Sequence, residues 1–375
     1  MRIVVAMSGG VDSSVAAALI QQEGYEVIGV SMQIWPSREQ DKEEDNFGVC
    51  CGLSAIEDAR EVAYKLGIPH YAMDFRDIFE QKVITDFCRK YSLGRTPNPC
   101  IRCNRYIKFD ALLNRAKGLG ATLLATGHHA RVEKDGASNR YLLKKGRDSR
   151  KDQSYVLYAL TQEQLRYIRF PIGNFTKEQV RKIARELALP VAGKPESQEI
   201  CFIPDDDYPK FLREYMPEAI TPGTIVDEQG NILGKHLGIP FYTVGQRRGL
   251  GISAREPLYV IAIDPKENTI VVGNKERVYG DELIASDLNW IAIAELKHPI
   301  RAKAKIRYLH QEAEAKIIPL DADRVHVKFG EPQMAITPGQ AVVFYDEDMV
   351  IGGGTIERSL KSDQGETMLG KLRGV

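Results

Sequence analysis

The sequence carries no surplus of charge: Lys plus Arg and Asp plus Glu each number 51 in 375 residues, a formal net charge of zero. That excludes a global positive field, so any contact with nucleic acid must rest on local patches. No apolar run approaches the ~20 residues needed to span a bilayer, so no membrane partner is expected. Cysteine is scarce and uneven. Cys50 and Cys51 are adjacent, Cys100 and Cys103 form a CxxC, and Cys88 and Cys201 stand alone. That distribution points to thiol chemistry or a metal before a disulfide framework. Met1 runs into IVVAM with no basic-then-apolar leader, and a cytoplasmic protein is expected. One further absence is local. The stretch VVAMSGGVDSSVAAAL (4–19) resembles a phosphate-binding turn, yet it lacks the lysine that closes the usual P-loop pattern.

What is present first is an alternation. Strand-like IVVAM is followed by a helix from Ser13 to Glu23 and strand-like YEVIGVSM. After an acidic stretch, REQDKEED, come helical SAIEDAREVAYKLG, strand PHYAMDF, helix KFDALLNRAKGLG and strand ATLLATGHH. Strands alternating with helices predict an α/β domain with a parallel sheet, whose ligands sit beyond the carboxyl ends of the strands. The turn at Ser8–Asp12 and the segment Thr126–His129 lie at two such ends. From about Tyr208 short β-type runs and turn dipeptides take over. The expected division is a catalytic domain over 1–207, a small β domain over 208–283 and a β-barrel over 284–375.

The glycine turn suits a phosphate. Gly9 and Gly10 let backbone amides approach an anion, and the helix that follows offers its positive dipole end. Ser8, Ser13 and Ser14 add hydroxyls. Asp12 would repel bare phosphate and makes most sense as a magnesium ligand. The missing lysine argues against γ-phosphoryl transfer. The plain alternative is a strand-to-helix turn with an N-cap serine. SGGVDSS resembles the pyrophosphate loop of the N-type ATP pyrophosphatase (PP-loop) superfamily, whose fold is adenine nucleotide alpha-hydrolase-like. That resemblance implies cleavage of ATP between its α and β phosphates and transfer of AMP to a substrate oxygen.

The cysteines narrow the substrate. In GRTPNPCIRCNRYIKFDALL (94–113), two prolines hold the chain extended before a helix expected to start near Cys103 or Asn104. A thiol at that helix start, with Arg102, Arg105 and Lys108 nearby, is expected to have a lowered pKa. Cys201 lies in KPESQEICFIPDDDY beside Ile200, Phe202 and Ile203, so a functional and a buried structural role both stay open. Cys88, inside a helical pattern, reads as core.

Together with ATGHHAR, KDQSYVLY and GKHLGIPFYTVGQRRGLGI, these segments resemble the tRNA-specific 2-thiouridylase family along nearly the whole chain. The resemblance implies ATP-dependent replacement of the C2 oxygen of the wobble uridine by sulfur, in glutamate, glutamine and lysine tRNAs. It matches Ala6, Met7, Ser8, Gly9, Gly10, Val11, Asp12 and Ser13 to the ATP loop, and Met32 and Gly127 to adenosine contacts. It matches Asn98, Pro99 and Cys100 to the segment around the target base. His128, Lys151, Asp152, Gln153, Arg307, Tyr308 and Gln340 match tRNA contacts. Cys201 corresponds to a persulfide carrier and Cys103 to a second catalytic cysteine, with a Cys103–Cys201 disulfide left after sulfur transfer. A persulfide or sulfide donor, such as a cysteine desulfurase or a sulfur-relay protein, is the further partner implied.

Cys100 departs from the aspartate that some members carry there, so an acid/base role does not transfer unchanged. Cys100, Cys103 and Cys201 could instead ligate an iron–sulfur cluster with one open iron. A zinc site on Cys50, Cys51, Cys100 and Cys103 is a third reading, but adjacent cysteines suit tetrahedral spacing poorly.

Two basic stretches could meet RNA. Residues 131–153 could track phosphates or form a solvated hairpin. In RAKAKIRY, basic residues at 301, 303, 305 and 307 fall on one strand face, where pairing with the acids of QEAEAKI competes with RNA contact; RNA is preferred for Arg307 and Tyr308. Two rival functions remain: another adenylating enzyme acting on a small molecule, and a nucleotide-sensing RNA-binding module without turnover. AMP formation that depends on tRNA separates all three.

Overall fold

A computed structural model describes residues 1–35, 53–195, 200–203 and 207–360. Cys50, Cys51 and the REQDKEED stretch lie outside the described residues, and with them half of the zinc set. The chain divides into two compact units. One holds Met1–Thr85, Pro99–Asp207 and Asp348–Val350; the other holds Asp86–Asn98, Tyr208–Glu347 and Ile351–Val375.

The first unit is built on a parallel sheet. Strand β1 (Arg2–Ala6) has Ile3, Val4 and Val5 fully buried, so both its faces are covered and its sequence is an unbroken apolar run. It pairs with β2 (Glu26–Gln33) on one side and with β4 (Leu123–Thr126) on the other; β3 (His70–Asp74) flanks β2. An antiparallel hairpin of β5 (Ala130–Lys134) and β6 (Tyr141–Lys145) follows, and β7 (Ile168–Arg169) extends the sheet beside β4. The sheet order β3-β2-β1-β4-β7 reverses its direction of growth at β1 and β4, which opens a crevice at their carboxyl ends.

Helix α1 (Val11–Gln22) begins two residues earlier than its apolar pattern suggests, because Gly10 takes the N-cap. Its buried run Val15–Ala18 is mostly alanine, which lets the helix lie close on the sheet. Helix α2 (Leu53–Leu66) buries Ala55, Ile56, Ala59, Val62 and Ala63, a 1–3–3–1 spacing that forms one face.

The cysteine-bearing helix departs from expectation. It opens at Pro99, with Pro99–Arg102 α-helical, continues as a π-helix over Cys103–Ala111, and returns to α over Leu112–Gly118. Asn98-Pro99 supplies a favoured cap residue followed by proline at the first helical position. Cys103 is therefore a full turn inside the helix rather than at its start.

The second unit contains a four-stranded sheet of β8 (Gly223–Val226), β9 (Ile232–His236), β10 (Tyr259–Asp264) and β11 (Thr269–Gly273), ordered β10-β11-β8-β9. It also contains six antiparallel strands: β12 (Tyr279–Trp290), β13 (Ile300–Lys305), β14 (Ala313–Pro319), β15 (Val325–Met334), β16 (Ala341–Asp346) and β17 (Met349–Leu360), the last from Ile351 onward. Their order is β12-β15-β14-β13-β16-β17, and β17 pairs back onto β12, so the barrel closes and leaves no strand edge. In β13, Ala302 and Ala304 point inward while Arg301 and Lys303 are exposed; Lys303 stands opposite Glu314, but Arg301 stands opposite Lys316, so the expected charge pairing holds in register at Lys303 and fails at Arg301. The strand ends at Lys305, so Arg307 lies in the turn beyond it and not on the strand face. Among the described residues, no helix is long and apolar enough to cross a membrane.

One charged group is enclosed in the barrel wall. Glu282 is 1% exposed and accepts hydrogen bonds from His326 Nε2 at 2.8 Å and Lys328 Nζ at 2.9 Å. Glu282→Ala is expected to destabilise this unit by roughly 3–5 kcal/mol, because it strands His326 inside the wall without its acceptor. Urea unfolding followed by the fluorescence of Trp290, which stacks on Phe344 within the barrel, measures the loss. An unchanged midpoint would refute this role for the pair.

Candidate active site

The loop from Met7 to Gly10 joins β1 to α1 at the carboxyl edge of the sheet. Gly9 has φ +67°, and a Cβ there would lie 2.2 Å from the Ala55 carbonyl oxygen, so only glycine fits. Gly10 caps α1 without a side-chain acceptor, which leaves the start of the helix to an external anion. The serines brace the turn. Ser13 Oγ accepts from the Ser8 amide at 3.2 Å and donates to the Gly10 carbonyl at 3.1 Å, while Ser14 Oγ donates to the same carbonyl at 2.8 Å. Opposite, at the end of β4, a Cβ on Gly127 would sit 2.5 Å from the Ser13 amide nitrogen. Glycine at 127 thus lets β4 press against the first turn of α1. Met32, near the end of β2, is 8% exposed.

The cation missing from the loop is supplied from 165 residues away. Lys177 Nζ donates to both oxygens of Asp12, at 2.8 and 2.7 Å. Lys177 is the first residue of helix α3 (Lys177–Glu186), whose N-cap Thr176 forms a reciprocal capping box with Gln179. The Lys177 amide donates to buried Asp148, and Val180 and Ala184 join the same core as Val15 and Ala16 of α1. On the other side of Asp12, buried His129 places Nε2 3.4 Å from Oδ1, close enough for an ion pair when the ring is protonated but without hydrogen-bond alignment. Burial pushes the Asp12 carboxyl up, yet the facing His129 ring and the Lys177 ammonium together outweigh it and hold the group below the usual aspartate range. Neither Lys177 nor His129 carried a role in the sequence reading. The signal for Lys177 was the Thr-Lys-Glu-Gln helix start, which fixes a lysine at a helix N-terminus but not what it faces.

The cysteines occupy different environments. Cys100 is exposed in the first helical turn. Cys103 is 8% exposed, and burial pushes its thiol up to about 11, with the charge of Lys108 recovering only part. The lowered pKa expected at a helix start is therefore corrected: the helix begins earlier, and desolvation dominates. Cys201 is half-buried and is followed by buried Phe202 and Ile203, with Phe202 edge-on to Phe79 at 5.6 Å. Cys88 is core, its thiol pushed by burial up to about 12. Among the described residues, no three His, Cys, Asp or Glu side chains come together as a metal-holding group. Cys100, Cys103 and Cys201 are all described, so the arrangement does not fit the cluster that was the alternative reading for them.

Several residues matched to tRNA have internal partners. His128 is buried, its Nδ1 2.6 Å from Thr126 Oγ1, between Phe109 and Phe170; burial drives its pKa well down. Asp152 accepts from the Gly146 and Ser154 amides and the Ser154 hydroxyl, and Gln153 Oε1 accepts from the His129 amide. Lys151 is half-buried beside them. In the hairpin region, Arg131 pairs with Asp348, Lys144 with Glu133 and Arg150 with Glu178, so much of its basic character is neutralised within the unit. In the second unit, Gln340 Nε2 donates to the Thr96 carbonyl at 2.9 Å and holds the segment that runs into Asn98, while Arg307 and Tyr308 are half-buried in their turn.

Comparison with known proteins agrees with this layout. Residues 1–205 match the tRNA methyl transferase HUP domain, 209–274 the tRNA methyl transferase PRC-barrel domain and 280–356 the aminomethyltransferase beta-barrel domain. The chain is 56% identical over 356 residues to the tRNA-specific 2-thiouridylase MnmA of Acetivibrio thermocellus, covering 95% of this chain and 99% of that one. It is 57% identical over 360 residues to the protein of the same name from Heliobacterium modesticaldum, covering 96% and 93%. With likeness of that depth spanning the loop, the cysteine helix and the barrel alike, the chain belongs to the tRNA-specific 2-thiouridylase family.

Proposed function

We propose that the protein is an ATP-dependent tRNA uridine 2-sulfurtransferase acting on the wobble uridine of glutamate, glutamine and lysine tRNAs. The observation that carries this reading is the pyrophosphate-type loop at the reversal point of the sheet, with Lys177 set against Asp12, in a chain of this family. ATP lies across the ends of β1 and β4, its phosphates over Ala6–Ser13 and its adenosine towards Met32 and Gly127. The uridine C2 oxygen attacks the α-phosphorus, and the bond to the β-phosphate oxygen breaks. The pyrophosphate that leaves is held by loop amides and by Lys177, a cation a P-loop would carry within the loop itself. Asp12 is the carboxylate that would hold a magnesium ion, which would supply neutralisation of phosphate charge.

Sulfur arrives as a persulfide on Cys201 from a desulfurase or relay protein. The terminal sulfur attacks C2 and the C2–O bond breaks, releasing AMP. The Cys103 thiolate then attacks Cys201 Sγ; the S–S bond to the uridine breaks, the 2-thiocarbonyl forms, and a Cys103–Cys201 disulfide remains for an external dithiol to reduce. Asn98, Pro99 and Cys100 flank the target base. Lys151, Arg307 and Tyr308 meet the tRNA directly, whereas Asp152, Gln153, His128 and Gln340 position the segments that do.

Asp12→Ala and Lys177→Ala are each expected to reduce tRNA-dependent AMP formation by roughly 10²-fold or more, with Lys177→Arg partly restoring it. Pyrophosphate release in single turnover measures this, and AMP formation without tRNA in the wild type would refute the substrate assignment. Cys201→Ala should still release AMP yet give no thiolated tRNA; normal thiolation by that variant would remove the persulfide relay. Because Cys103 acts as a thiolate and its thiol is held at about 11, the thiocarbonyl-releasing step should quicken about tenfold per pH unit between pH 7 and 9. A flat profile for that step, followed by quench and nucleoside analysis, would show that another group performs it.

A further inference from the structure

The second unit holds an open cleft of about 630 Å³ that none of the assignments above uses. Tyr208, Phe241 and Tyr242 line it, along with residues of the loop Thr243–Gly249. The Arg213 guanidinium lies 4.9 Å over the Phe241 ring on the cleft wall. Arg247 and Arg248 stand exposed on that loop between the lining residues Gln246 and Gly249, and are not themselves part of the lining. Between Pro240 and Arg255 the chain carries three arginines and no acidic residue.

These arginines differ from several others among the described residues. Arg2, Arg76, Arg131, Arg169, Arg277 and Arg324 each close an ion pair with a carboxylate. Among the described residues, Arg213, Arg247 and Arg248 close none. Their loop is also held in shape before anything binds. Gln246 Oε1 accepts from the Thr243 amide and its Nε2 donates to the Arg248 carbonyl, both at 3.0 Å. Gly245 has φ +91° and would meet Ala335 Cβ at 2.6 Å if it carried a Cβ. A rigid loop presenting planar, fully charged guanidinium groups suits phosphate oxygens, which arginine engages in bidentate fashion.

We propose that this cleft binds the phosphodiester backbone of the substrate tRNA, with Arg247 and Arg248 on phosphates and Arg213 held on Phe241 as the cleft's third cation. The proposal rests on the tRNA reading given above and adds a site to it. RNA is favoured over an acidic protein by continuity: Thr96 Oγ1 donates to Thr243 Oγ1 at 3.1 Å, so the arginine loop is bonded to the segment that leads into Asn98 and the target-base residues.

The test is the binding of an unmodified glutamate-type tRNA transcript to the full chain over a range of salt. R247Q/R248Q is expected to weaken binding roughly tenfold and to lower the slope of log K against log salt by about 2, with ATP binding unchanged. R213K, which keeps the charge but loses the flat stack on Phe241, should leave the slope unchanged and weaken binding by a smaller factor. Unchanged affinity and slope in R247Q/R248Q would overturn the proposal. Unchanged tRNA binding with slower thiolation from a persulfide-carrying protein would overturn it in favour of a protein occupant. If the wild type forms no AMP with tRNA, the enzymatic reading fails; if it does and the variants bind normally, only the cleft assignment fails.

Discussion

Asp12 and Lys177 bring together two parts of the first unit that the chain keeps far apart. The carboxylate sits in the first turn of α1, where the helix dipole favours negative charge, and the ammonium comes from the first turn of α3, where the same dipole disfavours a cation. The pair therefore stabilises α3 in a position its own electrostatics resist. Much else follows from keeping it. The capping box at Thr176 fixes where Lys177 emerges, Asp148 takes its amide, and Val180 and Ala184 bind α3 into the core under α1. Gly127 lets β4 approach closely enough that His129 faces the other side of the carboxylate. In the proposed reaction, pyrophosphate departing from this place would meet a positive group already oriented.

The parts legible in the sequence were those in which local pattern and tertiary role coincide. The apolar run of β1 and the glycines after it announce a buried parallel strand and a tight turn into a helix, and alternation in β13 assigns Ala302 and Ala304 to the barrel interior. Lys177 was illegible because its role depends on a contact with a residue 165 positions away, and a lysine opening a helix is locally unremarked. His129 was passed over for its neighbour for a similar reason: adjacent residues at a strand end point to opposite sides, and sequence does not say which side holds the carboxylate.

Cys103 illustrates a second kind of failure. Its basic neighbours argue for an acidic thiol, and one of them, Lys108, does pull that way. Two facts reverse the balance. Asn98-Pro99 starts the helix a turn sooner, and the π-helical winding over Cys103–Ala111 belongs to a tightly packed interior where Ile107 and Phe109 are fully buried. Desolvation is a property of the assembled core, so no count of nearby charges could have revealed it.

The route of the chain at Asn98–Pro99 has an evolutionary corollary. Residues 86–98 belong to the barrel-bearing unit, while the helix that begins at the next residue belongs to the nucleotide-binding unit. The same happens in reverse at 348–350, where Met349 pairs with Lys144 of the first unit. Neither unit is a contiguous cassette. A gene fragment ending near residue 207 would encode a nucleotide-binding unit with a stray loop whose partners, such as Gln340 and Thr243, were left behind. Recombination that exchanged one half for a foreign module would cut through both bodies, so the lineage has to inherit and vary the two as one indivisible piece.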